Sequence, residues 1–216
     1  MGSSIEPPGP TLFVEGRDDL YSIGELLARH GIQRGADKVA NIEESKTVEK
    51  LLEAIVTRVK VGGEFPIGFV LDADSPVIDR WRSVRDRLLK GQVEDVPESP
   101  SAEGFIGRSS EWQTKVGVWL MPDNLSDGML EDFLQRLLAD NDTLIRFART
   151  ATDDSIAHGA KYSPVHRSKA VIHAWLAWQT KPGEPFGTAI HAKYFRHDTE
   201  IALRFVAWYR TLFEIV

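Results

Sequence analysis

The chain has 216 residues and no cysteine, with 26 basic and 32 acidic side chains that leave a formal charge of −6. An apolar fraction of 42% with six tryptophans excludes a largely disordered chain. The lack of cysteine excludes disulfides, thiol catalysis and cysteine metal sites, and no apolar run approaches the ~20 residues that span a bilayer, so a cytoplasmic protein is the expectation.

Residues 1–10 are polar and proline-rich and read as a flexible lead-in without the apolar stretch of a signal peptide. Thr11-Leu-Phe-Val-Glu15, stopped by Gly16, reads as a buried strand. Asp18 and Asp19 open a helix whose apolar positions are Leu20, Ile23, Leu26 and Leu27, with Gly31 as its stop. A second short strand is expected over Lys38–Ile42 and a second helix over Thr47–Lys60. Ile67–Leu71 is continuously apolar, as a central strand covered on both faces should be, and runs into Asp72-Ala-Asp74-Ser-Pro76. A third helix follows over Val77–Lys90.

Gly91–Glu111 is polar and proline-punctuated and reads as a loop, with a short strand near Phe105-Ile106. Val116–Met121 is the fourth strong strand, Pro122–Gly128 a loop, and helices are expected at 129–140, 142–157, 166–179 and 199–214. Alternating strands and helices imply an α/β layer fold, with a mainly parallel four-stranded sheet flanked by helices and a helical C-terminal portion. The expected organisation is a lead-in at 1–10, an α/β core at 11–145 and a helical extension at 146–216 packed on it.

Charge is unevenly spread along the chain. From His158 onward there are eight basic against four acidic side chains, while the preceding residues carry eighteen against twenty-eight. This separation suggests two faces with different work to do. In a parallel sheet the C-terminal strand ends share one edge, where ligands bind. Glu15, then Asp72 and Asp74, then Asp123 followed by Glu131 and Asp132 all fall at that edge. Carboxylates so clustered repel one another unless a cation sits between them, and oxygen-only donors favour a hard ion such as Mg²⁺ or Mn²⁺. One or two such ions could clamp the oxygens of a phosphodiester. Each acid also has a plainer role open to it, as the cap of the following helix; Asp18 and Asp79 are read that way first.

An apolar strand ending in Val14-Glu15-Gly16, with Asp19 four residues after the glutamate and a later strand ending Asp72-x-Asp74, resembles the TOPRIM domain. With Gly128-x-Leu130-Glu131 and a later lysine, the spacing is similar to the OLD (overcoming lysogenization defect) nuclease branch. The segment from Lys169 to Trp178, with Pro182-Gly183 and Gly187-x-x-Ile190, resembles the ending of small standalone TOPRIM-like proteins. The resemblance implies a Rossmann-like TOPRIM fold and a metal-dependent nuclease acting on DNA, ahead of RNA. It implies that Glu15 is a metal ligand or general base, that Asp19, Asp72, Asp74 and Glu131 are metal ligands, with Asp132 second to Glu131, and that Lys169 stabilises charge on the phosphate. Lys169 could equally be a solvated residue at a helix start. Asp19 keeps an oxygen donor where related nucleases carry glutamate.

Other families share parts of this pattern. Asp72-x-Asp74 also fits haloacid-dehalogenase phosphatases, but two strand–helix units precede it here. A receiver domain would need its lysine within five strand–helix units, and Lys169 lies beyond them. The histidines lack zinc-protease spacing and read as packing or surface residues, and Trp119, Trp175 and Trp178 as core. Primase-like nucleotidyl transfer fits the fold without a motif to support it. The alternative from a different class is a non-catalytic or partner-controlled TOPRIM subunit that binds an ATPase or other protein, as in phage defence; the chain has no P-loop sequence of its own. A homo-oligomer is compatible with either reading, and no membrane association is expected.

Overall fold

In the computed structural model, which describes residues 9–36 and 39–216, five strands form one sheet. They are β1 (Thr11–Val14), β2 (Asn41–Glu44), β3 (Ile67–Asp72), β4 (Phe105–Arg108) and β5 (Lys115–Met121), in the order β2-β1-β3-β5-β4. The neighbours β2, β1, β3 and β5 pair in parallel, and β4 closes the far edge antiparallel to β5. The helices are α1 (Arg17–Arg29), α2 (Val48–Gly62), α3 (Val77–Lys90), α4 (Leu130–Arg136), α5 (Thr143–Ser155), α6 (Arg167–Ala177), α7 (Phe186–His191) and α8 (Glu200–Phe213).

The expected α/β layering is present, but with five strands rather than four. The short strand expected near Phe105-Ile106 is present as Phe105–Arg108 and joins the sheet as its fifth, edge strand, with Phe105 as the buried anchor. The second strand is displaced from Lys38–Ile42 to Asn41–Glu44. An edge strand needs few inward side chains, and here Ile42 is the buried one while Asn41 faces solvent. Lys38 and residues 1–8 of the expected lead-in lie outside the described residues. α4 stops at Arg136 rather than reaching 140. α7 was not anticipated, being too short to display a helical period, although Phe186, Ala189 and Ile190 are buried on it.

Side chains alternate across the sheet with period two. Leu12 and Val14 of β1, Val70 of β3, and Trp119 and Met121 of β5 face one hydrophobic cluster, built with α1, α4, α5, α6, α7 and α8. Phe13, Phe69, Leu71, Val118 and Leu120 face the other, built with α2 and α3. Burying each of these large apolar side chains contributes about 1.5–3 kcal/mol. The first cluster runs without interruption from Leu12 to Phe213, so α8 is seated directly on the strands. Gly68 of β3 and Gly117 of β5 are register partners beneath it. A Cβ on Gly117 would stand 2.6 Å from Leu212 Cδ2, and one on Gly68 3.0 Å from the same atom. The paired glycines form a notch that Leu212 fills.

The parallel strands all end on one edge, where Glu15 follows β1, Ser45 and Lys46 follow β2, and Asp72 ends β3. That edge carries the site.

Candidate functional site

A cleft of about 390 Å³ opens at the C-terminal strand edge, and Glu15, Asp19, Asp72 and Glu131 all line it. Glu15 is the first residue past β1, and its Oε1 accepts the backbone N–H of Asp72 at 2.9 Å. Burial pushes the Glu15 carboxyl above its usual range, opposed by that hydrogen bond and by the Arg80 charge. Asp19 is the third residue of α1 and its Oδ2 accepts the Gly16 N–H at 3.2 Å, which satisfies one of the helix's orphan donors. It is 8% exposed. Burial, reinforced by the Glu15 charge, pushes it up to about 7.

Asp72 Oδ1 accepts the N–H of Leu130 at 2.9 Å, which fixes the start of α4 against the end of β3. Burial drives its carboxyl well above the ordinary value, and the charges of Asp19, Glu15 and Glu131 add to the effect. Glu131, on the first turn of α4, is 5% exposed and pairs with Lys169 Nζ at 3.3 Å. Lys169 stands on the first turn of α6 with its side chain 48% exposed. Helix N-termini from α1, α4 and α6 therefore face the cleft, and their partial positive charges offset part of the carboxylate repulsion.

Five of the six residues expected at the site thus meet there: Glu15, Asp19, Asp72, Glu131 and Lys169. Asp74 does not line the cleft. It sits past β3 at φ 55°, with its backbone exchanging hydrogen bonds with Gly128 and its side chain paired to Arg80. Arg80 Nε also donates to the Asp72 carbonyl at 3.0 Å, so Asp74 acts on Asp72 through Arg80. Asp132, the second choice to Glu131, is a helix cap: its Oδ2 accepts the Met129 N–H at 3.0 Å and its Oδ1 accepts the Ser168 hydroxyl. Asp123 accepts the N–H groups of Leu125 and Ser126 and pairs with Arg136, all within its own loop and helix. Among the described residues, no three acidic or histidine side chains stand close enough to form a ready-made metal cage.

Residues that sequence reasoning missed also line the cleft, notably Lys46 and His166. His166 Nδ1 lies 3.1 Å from Ser163 Oγ at the entry to α6. Lys46 was hidden by the displaced second strand; with the strand ending at Glu44, Lys46 falls at the functional edge. Five of the eight basic residues of the C-terminal region are paired with carboxylates. Arg167, Lys169, Lys181, Arg196 and Arg204 pair with Asp153, Glu131, Glu184, Asp198 and Glu200. Trp119 and Trp175 are core as expected, but Trp178 is 44% exposed and leans on Phe147 with ring centroids 5.2 Å apart. Among the described residues, no helix is long and apolar enough to cross a membrane.

Fold and cleft together define an α/β protein whose mostly parallel sheet presents four carboxylates to one cleft at the C-terminal strand ends, with Asp19 and Glu131 buried. Residues 10–214 match the family described as "Protein of unknown function (DUF3226)", and the chain belongs to that family. Neither a curated protein nor a solved structure matches it.

Proposed function

We propose that the protein is a divalent-metal-dependent phosphodiester hydrolase acting on nucleic acid, DNA ahead of RNA, on a TOPRIM-like scaffold of the OLD-nuclease kind. The observation that carries this reading is the convergence of Glu15, Asp19, Asp72 and Glu131 on one cleft from three separate segments of the chain. Buried carboxylates that raise one another's pKa are costly to ionise unless a cation compensates them. Oxygen donors alone, in this number, suit Mg²⁺ or Mn²⁺.

Glu15, Asp19, Asp72 and Glu131 would supply the oxygen donors for one or two ions, after side-chain movement that brings them closer together. Bound there, the ions supply charge neutralisation at the phosphate and a more acidic water. Glu15, at the cleft wall, takes the proton of the attacking water. The water oxygen bonds to phosphorus, the bond from phosphorus to the departing sugar oxygen breaks, and that oxygen takes a proton from solvent. Lys169, released from Glu131, faces the charge that builds on the phosphate.

The test is nicking of supercoiled plasmid in Mn²⁺ by the wild type and by the near-isosteric Glu15→Gln and Asp72→Asn variants. Losses of roughly a hundredfold or more are expected; undiminished nicking by both variants sinks the reading.

One observation favours a second reading, a partner-controlled TOPRIM subunit: Lys169 closes on Glu131, so the cluster is partly self-neutralised. On that reading the isolated chain is inactive, and an ATPase or other protein partner must open the pair. Pull-down from the native host, followed by nicking assays with and without the captured partner, separates the two.

A further inference from the structure

Lys46 occupies a backbone conformation that costs a side-chain-bearing residue energy. Its φ is +74°, in the left-handed region that favours glycine. The neighbours on either side pin it there. Ser45 N–H donates to the Val14 carbonyl at 2.8 Å, extending the β1–β2 ladder. Thr47 Oγ1 accepts the Lys50 N–H at 3.3 Å as the N-cap of α2. The kinked, exposed lysine between them lines the acidic cleft.

The other cations of that cleft are engaged: Lys169 with Glu131, and Arg17 with the Tyr21 hydroxyl at 3.4 Å. Among the described residues, Lys46 forms no ion pair within 4.0 Å. An exposed lysine beside a carboxylate cluster, in strained backbone and without a partner, is placed to receive an anion from outside.

Its position also sets which anion. Lys46 follows β2, and Asp72 ends β3 two strand spacings away, about 10 Å, with Glu15 past β1 between them. That distance exceeds what one phosphate group spans and corresponds to about three stacked nucleotides at 3.4 Å each. We propose that Lys46 binds a second phosphate of the substrate chain, a few nucleotides from the one at the carboxylates, so that the site selects a polynucleotide over a mononucleotide. This inference rests on the nucleic-acid reading of the cleft.

The experiment measures binding of a fluorescein-labelled 12-nucleotide single strand by anisotropy, in Ca²⁺, across a salt series. Lys46→Ala weakens binding several-fold and reduces the slope of log K against log [salt] by about 0.7, one phosphate contact on a single strand. Lys46→Arg restores the slope. Lys46→Gly, which suits the left-handed conformation, melts at or above the wild-type temperature yet binds as weakly as Lys46→Ala, a pattern that a purely structural lysine does not produce. Wild-type slopes in both Lys46→Ala and Lys46→Gly overturn the assignment of Lys46 alone. Failure of the wild type to bind the strand overturns the nucleic-acid reading and this inference with it.

Discussion

Glu15 and Asp72 end neighbouring strands, and the backbone N–H of Asp72 donates to the Glu15 carboxylate at 2.9 Å. The bond uses a main-chain donor from one site residue to fix the side chain of another. Their relative position is thereby set by sheet register rather than by loop conformation. Asp72 in turn receives the Leu130 N–H, which carries the same order through to α4 and Glu131.

The cluster has a consequence for pH. Asp19 is raised from its ordinary value to about 7, so the folded protein holds a proton that the unfolded chain has already released. The contribution of Asp19 to stability is therefore greatest at acidic pH and falls as pH rises from about 4 through about 7, after which the loss is complete. Asp19→Asn removes the burial cost while keeping an acceptor for the Gly16 N–H. Its Tm is expected to exceed the wild type's at pH 8 by roughly 2–4 °C per kcal/mol relieved, with the gap closing near pH 4. Thermal melts of both proteins from pH 4 to 8 check this.

Adjacent acids on α4 should separate cleanly. Asp132→Ala removes the cap at Met129 and the Ser168 contact, which costs about 0.5–2 kcal/mol in urea unfolding and leaves Mn²⁺ affinity near wild type. Glu131→Gln breaks the pair with Lys169 and lowers Mn²⁺ affinity by calorimetry. Equal effects on metal affinity from both would return Asp132 to the ligand set.

Asp74 and Asp72 should differ in the same manner. Asp74→Asn loosens Arg80, which holds the Asp72 carbonyl, and metal affinity is expected to fall by about tenfold or less, as for an outer support. Asp72→Asn removes the donor itself and abolishes measurable binding. Mn²⁺ titrations of the two variants at one pH decide the point.

The glycine notch makes a packing prediction. Gly117→Ala drives a methyl group into Leu212 and is expected to destabilise by about 1–3 kcal/mol in urea unfolding. Leu212→Ala in the same chain should recover part of that loss, a non-additivity that independent sites do not show.

The strands that the residues announced plainly were the central ones. Ile67–Leu71 and Val116–Met121 are apolar at nearly every position because helices cover both faces, and the acids that follow their neighbours stood out against them. The edge strands were less sharply bounded for the opposite reason: Asn41–Glu44 and Phe105–Arg108 have little to bury, so the first was placed too early and the second was read only near Phe105-Ile106. The same difference in legibility governed the site. Glu15 and Asp72 were readable because they end buried strands, whereas Lys46 depended on an edge-strand boundary misplaced by two residues. Asp74 and Asp132 could not be separated from their neighbours by spacing alone. Their different roles come from Arg80 and Ser168, partners distant enough that only the folded chain brings them near. Trp178 shared the helical spacing of a core residue with Trp175 but falls at the end of α6, beyond the cover of the next helix.

Leu212 lies four residues from the end of the sequence, yet it fills the notch between two strands formed from residues 67–72 and 115–121. During synthesis those strands leave the ribosome long before their covering helix does. Until Leu212 emerges, the notch at Gly68 and Gly117 stands unfilled, although the earlier helices of the same face have already been made. On the proposed reading, a chain still short of α8 lacks part of the layer that seats the carboxylate-bearing strands.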